Sequence, residues 1–196
     1  MTYIFYDFES SGKAARFDKV LQAGFIVYDS ALREKKQLNI RSRINSDVIP
    51  SINALKVNRL KMRDLLWEDL SSYQMTLKIY NFLNQFSKSF YIGYNSINFD
   101  EELIRKEFFK NIRYPYVTNS SPNFRHDGIN IARGAFAIDP NILQTEINEK
   151  NNPVFKLESL ARMQGIDSSD AHSALADAEM TTKILNIVKK KYEYIN

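Results

Sequence analysis

The sequence predicts a single α/β domain over residues 1–196, with an antiparallel three-strand meander followed by helices that flank at least one further strand. Three observations predict it. Tyr3 to Phe8 is an aromatic and β-branched run that stops at the turn cluster Ser10-Ser11-Gly12. Gln37 to Ile44 alternates Leu38, Ile40, Ser42 and Ile44 in the two-residue rhythm of a half-buried strand. Beyond Pro50 the apolar spacing lengthens to that of helices, interrupted by the strand-like run Phe90-Tyr91-Ile92-Gly93-Tyr94.

In chain order, Tyr3–Phe8 is the first strand, Leu21–Tyr28 the second and Gln37–Ile44 the third, joined by short connections that suit a meander. Ser72 is positioned to cap a helix from Tyr73 with the apolar stripe Leu77, Tyr80, Leu83 and Phe86. Reached through that helix, the strand at Phe90 can lie parallel to the first in a right-handed crossover. Asn98, with Glu101 at the third helical position, reads as the cap of a helix that turns Leu103, Ile104 and Phe108 inward. A weaker helix covers Gly128 to Phe136. Asp139 to Pro153, polar and rich in Asn, reads as a mobile loop. A short helix from Phe155 to Gln164 ends at Gly165, and a long one from Asp170 to Tyr192 carries Leu175, Ala178, Leu185 and Val188 on one side.

Composition removes several classes of chemistry. There is no cysteine, so disulfides and thiolate metal sites are excluded and a metal would need oxygen or imidazole ligands, which favours hard cations such as Mg²⁺ or Mn²⁺. No apolar run approaches the length of a membrane span, and the N-terminus enters a strand at once rather than a secretory leader. A cytoplasmic protein without a membrane partner is expected. The net charge is +4, and setting four of the 23 acidic residues aside for a metal leaves the 27 basic ones in excess by eight. A polyanionic partner fits that balance without being required by it.

Three short blocks can carry chemistry. In Asp7-Phe8-Glu9, strand alternation puts both carboxylates on one face and Phe8 on the other. Such a pair is by itself far more often a solvated edge than a metal site, but the apolar neighbours Tyr3 to Tyr6 make unpaired carboxylates costly here. Asp100 falls in the first turn of its helix, where an ordinary carboxylate is also favoured by the macrodipole. His172 and Asp177 stand among alanines and serines that permit close approach. Five residues apart on a helix they diverge by about 140°, so they converge only if His172 lies at the frayed start, for which Asp170 as cap would serve. A histidine beside alanines is otherwise more often structural. His126 has no evident partner.

Taken together, the three blocks resemble the motifs of the DEDDh family of 3′–5′ exonucleases. Asp7-Phe8-Glu9-Ser10-Ser11-Gly12 resembles the first motif, Gly93 to Asp100 the second, and His172 with Asp177 the third. Within that family the chain is most similar to the nuclease domain of the exonuclease I subfamily. Ile92 to Tyr116, Arg125 to Pro140 and Phe155-Lys156-Leu157-Glu158 to Gly165-Ile166 carry this likeness. The resemblance implies an RNase H-like fold whose central mixed five-stranded sheet includes the meander. It further implies two Mg²⁺ or Mn²⁺ ions, held by Asp7, Glu9, Asp100 and Asp177, with His172 as general base. Single-stranded nucleic acid, DNA in preference, is the implied substrate, with Phe8, Ser10, Ser11, Asn95 and Phe99 as candidate contacts. An exoribonuclease, a short-oligonucleotide hydrolase and a polymerase-associated proofreading subunit share the catalytic set. A non-catalytic binding module is the alternative of another class. Two departures stand out: Ser10 replaces the usual Thr, and Val57-Asn58-Arg59 replaces the frequent Thr-Gly-Ile. The subfamily also carries further domains after its nuclease domain, so weaker, less processive binding is expected of these residues alone.

Overall fold

A computed structural model describes residues 1–193. Strands β1 (Thr2–Ser10), β2 (Val20–Tyr28) and β3 (Glu34–Arg41) form the antiparallel meander. Strand β4 (Ser89–Gly93) lies parallel to β1 and β5 (Phe124–Asp127) parallel to β4, giving the order β3-β2-β1-β4-β5. This is the mixed five-stranded sheet of the RNase H-like fold. The connections are α1 (Ile52–Val57), α2 (Met62–Leu66), α3 (Ser72–Leu83), α4 (Asp100–Lys110), α5 (Gly128–Ile138), α6 (Leu157–Met163) and α7 (Ala174–Glu193), with a two-stranded hairpin of β6 (Glu146–Ile147) and β7 (Pro153–Val154). Among the described residues no helix is long and apolar enough to cross a membrane.

Alternation along β1 sorts its side chains between two layers. Ile4, Tyr6 and Phe8 join Phe25 and Tyr91 in a core with α3 and α4, through Met75, Ile79, Leu103 and Phe108. Phe5 points the other way, into a cluster with Ile26, Ile92, Ala178 and Leu185 that seats α7. Helices α5 and α6 pack behind α7, through Ala132, Leu160, Met180, Ile184 and Val188. Asp7 and Glu9 continue the Phe5 row. The parallel pairing with β4 stops at Phe5 opposite Ile92, so both carboxylates lie past its end, where ligand crevices form in sheets of this kind.

Several elements differ from the sequence-based expectation. β3 ends at Arg41, because the Arg43 and Ile44 N–H groups turn away to the carbonyls of Leu70 (2.6 Å) and Leu65 (3.0 Å). Ile44 then packs with Leu21, Leu60 and Leu65. The cap of α3 is Ser71, in a reciprocal box with Gln74, and its buried face is Met75, Ile79, Phe82 and Leu83. Phe99, not Asn98, precedes α4, with no side-chain cap. Strand β5 has too weak an apolar pattern (Phe124-Arg125-His126-Asp127) to be seen in sequence. Asp139 to Pro153 is no free loop: Ile142 and Leu143 are fully buried, and the hairpin follows. Helix α7 begins at Ala174, so Asp170 does not cap it.

The approach of α7 to the sheet depends on Gly24. A Cβ there would meet the Ala174 carbonyl carbon and the Leu175 nitrogen, both at 2.4 Å. Gly24→Ala is expected to push the start of α7 off β2 and cost about 1–3 kcal/mol of stability. Urea unfolding measures this cost, and a variant as stable as the parent would show that α7 does not need the contact.

Candidate active site

Asp7, Glu9 and Asp177 converge at the carboxyl end of β1. Each offers a carboxylate oxygen, and the three oxygens lie within 4.8 Å of one another. Asp7 and Glu9 come from one face of β1, and Asp177 from the first turn of α7, between the fully buried Ala174 and Ala178. The small residues let that turn reach the sheet, as the sequence suggested.

Asp100 arrives from the opposite side, at the first residue of α4, and is 6 % exposed. It stands close enough to β1 for its charge to act on both Asp7 and Glu9. A buried network places this end of α4. Glu101, wholly buried, accepts hydrogen bonds from Tyr6 Oη (2.6 Å) and Thr118 Oγ1 (2.7 Å) and faces Arg125 Nη1 at 3.6 Å. The single Tyr6 proton goes to Glu101, so Ser96 Oγ, 3.1 Å away, donates to Tyr6 Oη, and Ser96 fits only because Gly93 lacks a Cβ, which would stand 2.4 Å away. Glu101 is thus an internal anchor rather than a partner in a capping box.

The electrostatics follow from this crowding. Burial, then the charges of Asp100, Asp177 and Glu9, hold the Asp7 carboxyl well above the usual range. Burial, with Asp177 and Asp100 nearby, pushes Glu9 up to about 8 against the opposing pull of Arg41. Burial likewise raises Asp100 to about 8, despite the backbone bonds that favour its charged form. Burial also raises Asp177, although the His172 backbone N–H and positive charge act against it. Oxygen donors that resist ionisation together, in a chain without thiols, fit a hard divalent cation.

His172 lies in the turn before α7 with a left-handed backbone (φ 69°), and its N–H donates to Asp177 Oδ1 at 3.1 Å. The convergence that a continuous helix would forbid is achieved because the helix starts two residues later. Its Nε2 stands 4.0 Å from Glu158 Oε2, near the start of α6. Glu158 was not singled out from sequence. Neither was Asp127, which accepts the N–H groups of Asn95 (2.7 Å), Ile97 (3.3 Å) and Ile129 (3.1 Å) and so fixes the loop before Asp100. Its signal was an Asp immediately before a Gly-Ile helix start. His126 lies on β5 against the Phe90 ring, away from this group.

The candidate nucleic-acid contacts divide. Asn95 is exposed and left-handed (φ 58°), and Phe99 is partly buried beside the α3–α4 core. Ser10 Oγ donates to the Gly12 carbonyl at 2.7 Å. Two expectations need correction. The Phe8 ring packs between Tyr6 and Phe25 in the core, so it offers no face for a base. Ser11 Oγ is 2.7 Å from Asp18 Oδ1 and accepts from the Lys19 N–H, so it closes its own loop. Two depressions open beside His172 and Asn95. One of about 360 Å³ is lined by Arg41, Asn58, Arg59 and His172, and one of about 370 Å³ by Tyr94, Asn95, Arg133, Phe155 and Lys156. A larger one, about 880 Å³, lies between the β6–β7 hairpin and α6 and includes Glu158.

The exonuclease family (RNase_T) matches residues 4–185. The chain belongs to that family. Similar members include exodeoxyribonuclease I of Buchnera aphidicola subsp. Schizaphis graminum, 29% identical over 199 residues that span 97% of this chain and 40% of that protein. Exodeoxyribonuclease I of Escherichia coli (strain K12) is 26% identical, again over 97% of this chain and 40% of its own length. Among solved structures, E. coli exonuclease I in complex with a dT13 oligonucleotide superposes with a TM-score of 0.91 at 25% identity, covering 98% of this chain and 43% of that one. The zinc-bound form of the E. coli enzyme with single-stranded DNA gives 0.90 at 25% identity, over 98% and 42%. The chain spans about 40% of the length of these curated exonuclease relatives.

The shifted carboxyls predict a linked dependence on pH and metal. Native Glu9 and Asp100 keep protons up to about pH 8, whereas in the unfolded chain they release them near pH 4. The part of the metal-free stability that these two carboxyls carry is therefore fully present below about pH 4 and lost as pH rises through about 8. The metal-free protein should melt at a higher temperature at pH 5.5 than at pH 8. Millimolar Mg²⁺ should raise the melting temperature more at pH 8, because it binds the ionised site of the native state. Fluorimetric melting with and without EDTA checks both, and an equal Mg²⁺ response at the two pH values contradicts the assignment.

Proposed function

We propose that residues 1–196 form one 3′–5′ exonuclease domain that hydrolyses single-stranded DNA from its 3′ end and releases 5′-mononucleotides. The observation that carries this reading is the convergence of Asp7, Glu9 and Asp177, with Asp100 held beside them, at the carboxyl end of β1. In this reading Asp7, Glu9 and Asp177 hold a first Mg²⁺ or Mn²⁺, and Asp7 with Asp100 a second. Ions so held would neutralise charge on the phosphate and make a bound water easier to deprotonate. His172 takes the proton of the attacking water on an imidazole nitrogen, from a turn that leaves its ring partly exposed. Water adds to phosphorus, the bond to the 3′ oxygen breaks, and the shortened strand keeps a 3′-hydroxyl.

DNA is favoured because the similar curated proteins are exodeoxyribonucleases and the superposed E. coli enzyme carries a deoxyoligonucleotide. Asn95, Ser10 and Phe99 remain the contacts for the end of the strand. Further along, Arg133 over the Phe155 ring (5.9 Å to its centroid), with Lys156 beside it, supplies charge and an aromatic edge suited to a single strand. The reading sets the chain beside DNA in the cytoplasm.

Asp7→Ala and Asp177→Ala are expected to abolish metal-dependent hydrolysis while metal-free strand binding persists. His172→Ala should lower kcat by about 10²–10⁴-fold. Single-turnover assays on 3′-labelled DNA, RNA and a dinucleotide read these effects and the substrate class together. Full turnover by His172→Ala at neutral pH would remove His172 from the chemistry, and faster cleavage of RNA would overturn the DNA assignment.

A further inference from the structure

Resting on that reading, we infer that Asn58 and Arg59 form a strut that sets the His172 turn against the end of β1, with Arg59 as a positioning residue for the general base. These two residues stand at the departure Val57-Asn58-Arg59. The strut begins at α1, whose last turn ends at Asn58 with its N–H on the Ala54 carbonyl. Asn58, 9 % exposed, sends Nδ2 to the Ser10 carbonyl at 3.0 Å, one residue beyond Glu9. The next residue, Arg59, sends Nη1 to the Ser169 carbonyl at 2.9 Å, three residues before His172. Consecutive side chains thus reach the strand of Asp7 and Glu9 in one direction and the loop of His172 in the other.

The backbone explains how they diverge. Arg59 is left-handed (φ 53°), and the Leu60 N–H closes back on the Leu55 carbonyl at 3.1 Å. This is the position just past a helix where glycine is usual, because a Cβ is disfavoured there. Glycine would be the easier occupant but could not span to Ser169. The loop from Asp167 to Ser173 otherwise closes mainly on itself: Ser169 N–H donates to Asp167 Oδ1 (2.9 Å) and Ala171 N–H to the Ser168 carbonyl (3.1 Å). Toward α7 it is tied by the His172 N–H to Asp177 Oδ1 and by the Asp177 N–H to the Ser173 carbonyl (2.9 Å), His172 faces Glu158, and from the side of β1 the Arg59 guanidinium reaches Ser169. A guanidinium on a carbonyl is a charge-assisted bond, stronger than a neutral one. The depression that Arg59 lines is also lined by Ala171, His172 and Ser173, so a shift of the loop changes the space beside His172.

The test compares the parent with Arg59→Ala and Arg59→Lys in steady-state hydrolysis of a single-stranded deoxyoligonucleotide with Mg²⁺. In parallel, backbone amide exchange of residues 168–173 is followed by mass spectrometry in the metal-free proteins. Arg59→Ala should exchange faster through 168–173 and lose about tenfold in kcat, as for one charged hydrogen bond, with KM and melting temperature little changed. Arg59→Lys, which keeps a donor, should recover part of both. Unchanged exchange in Arg59→Ala overturns the strut, as does faster exchange with unchanged kcat. A raised KM with intact kcat overturns it too, since Arg59 would then be touching the strand. If the parent hydrolyses no strand at all, the functional reading fails, while the exchange rates still decide whether Arg59 holds the loop.

Discussion

Like charges brought together at the edge of an apolar interior are the condition that the rest of the molecule answers. Two full charges about 5 Å apart repel by roughly 3 kcal/mol at an effective dielectric constant near 20. Asp7, Glu9 and Asp177 bring three such oxygens within 4.8 Å, with Asp100 close enough to raise the pKa of two of them. The group therefore keeps protons or binds a cation, and either way the surrounding fold must hold the side chains in place. Apolar burial supplies that force. Phe5, Ile26, Ala178 and Leu185 clamp α7 to the sheet directly beneath the acidic row, and each large side chain so buried is worth about 1.5–3 kcal/mol.

Each acidic side chain is delivered by a different device. Strand alternation aligns Asp7 with Glu9. The missing side chain at Gly24 and the alanines of α7 bring in Asp177. The buried Glu101 network at the start of α4 brings in Asp100. That network is costly to desolvate, and losing one partner would strand buried charge, so its contribution is to fix one arrangement rather than to add stability. Asp127 does the same for the Asn95 loop with three backbone donors. The acidic group is thus assembled from three chain segments whose positions are set independently, which concentrates precision at the one end of the sheet where they meet.

Much of this was legible in the sequence because it depends on local rules. Two-residue alternation placed Asp7 and Glu9 together, and small residues around His172 and Asp177 announced a close approach. The meander, the parallel crossover to β4 and the stop at Gly165 follow from the same rules. What was not legible depends on distant partners. The role of Glu101 exists only because Tyr6, Thr118 and Arg125 surround it. Asp127 and Glu158 act on groups 14 to 32 residues away, as the Asn95 and His172 contacts show. β5 is a strand because β4 offers it an edge, its own residues giving little reason. Phe8 follows the same alternation into the core, and a ring packed against Tyr6 and Phe25 cannot also serve as a stacking surface for a base.

The most direct test of the acidic centre is anomalous diffraction from crystals grown with Mn²⁺. The account predicts Mn²⁺ peaks bonded to oxygens of Asp7, Glu9 and Asp177. Crystals at millimolar Mn²⁺ that show no peak among these three side chains would contradict it.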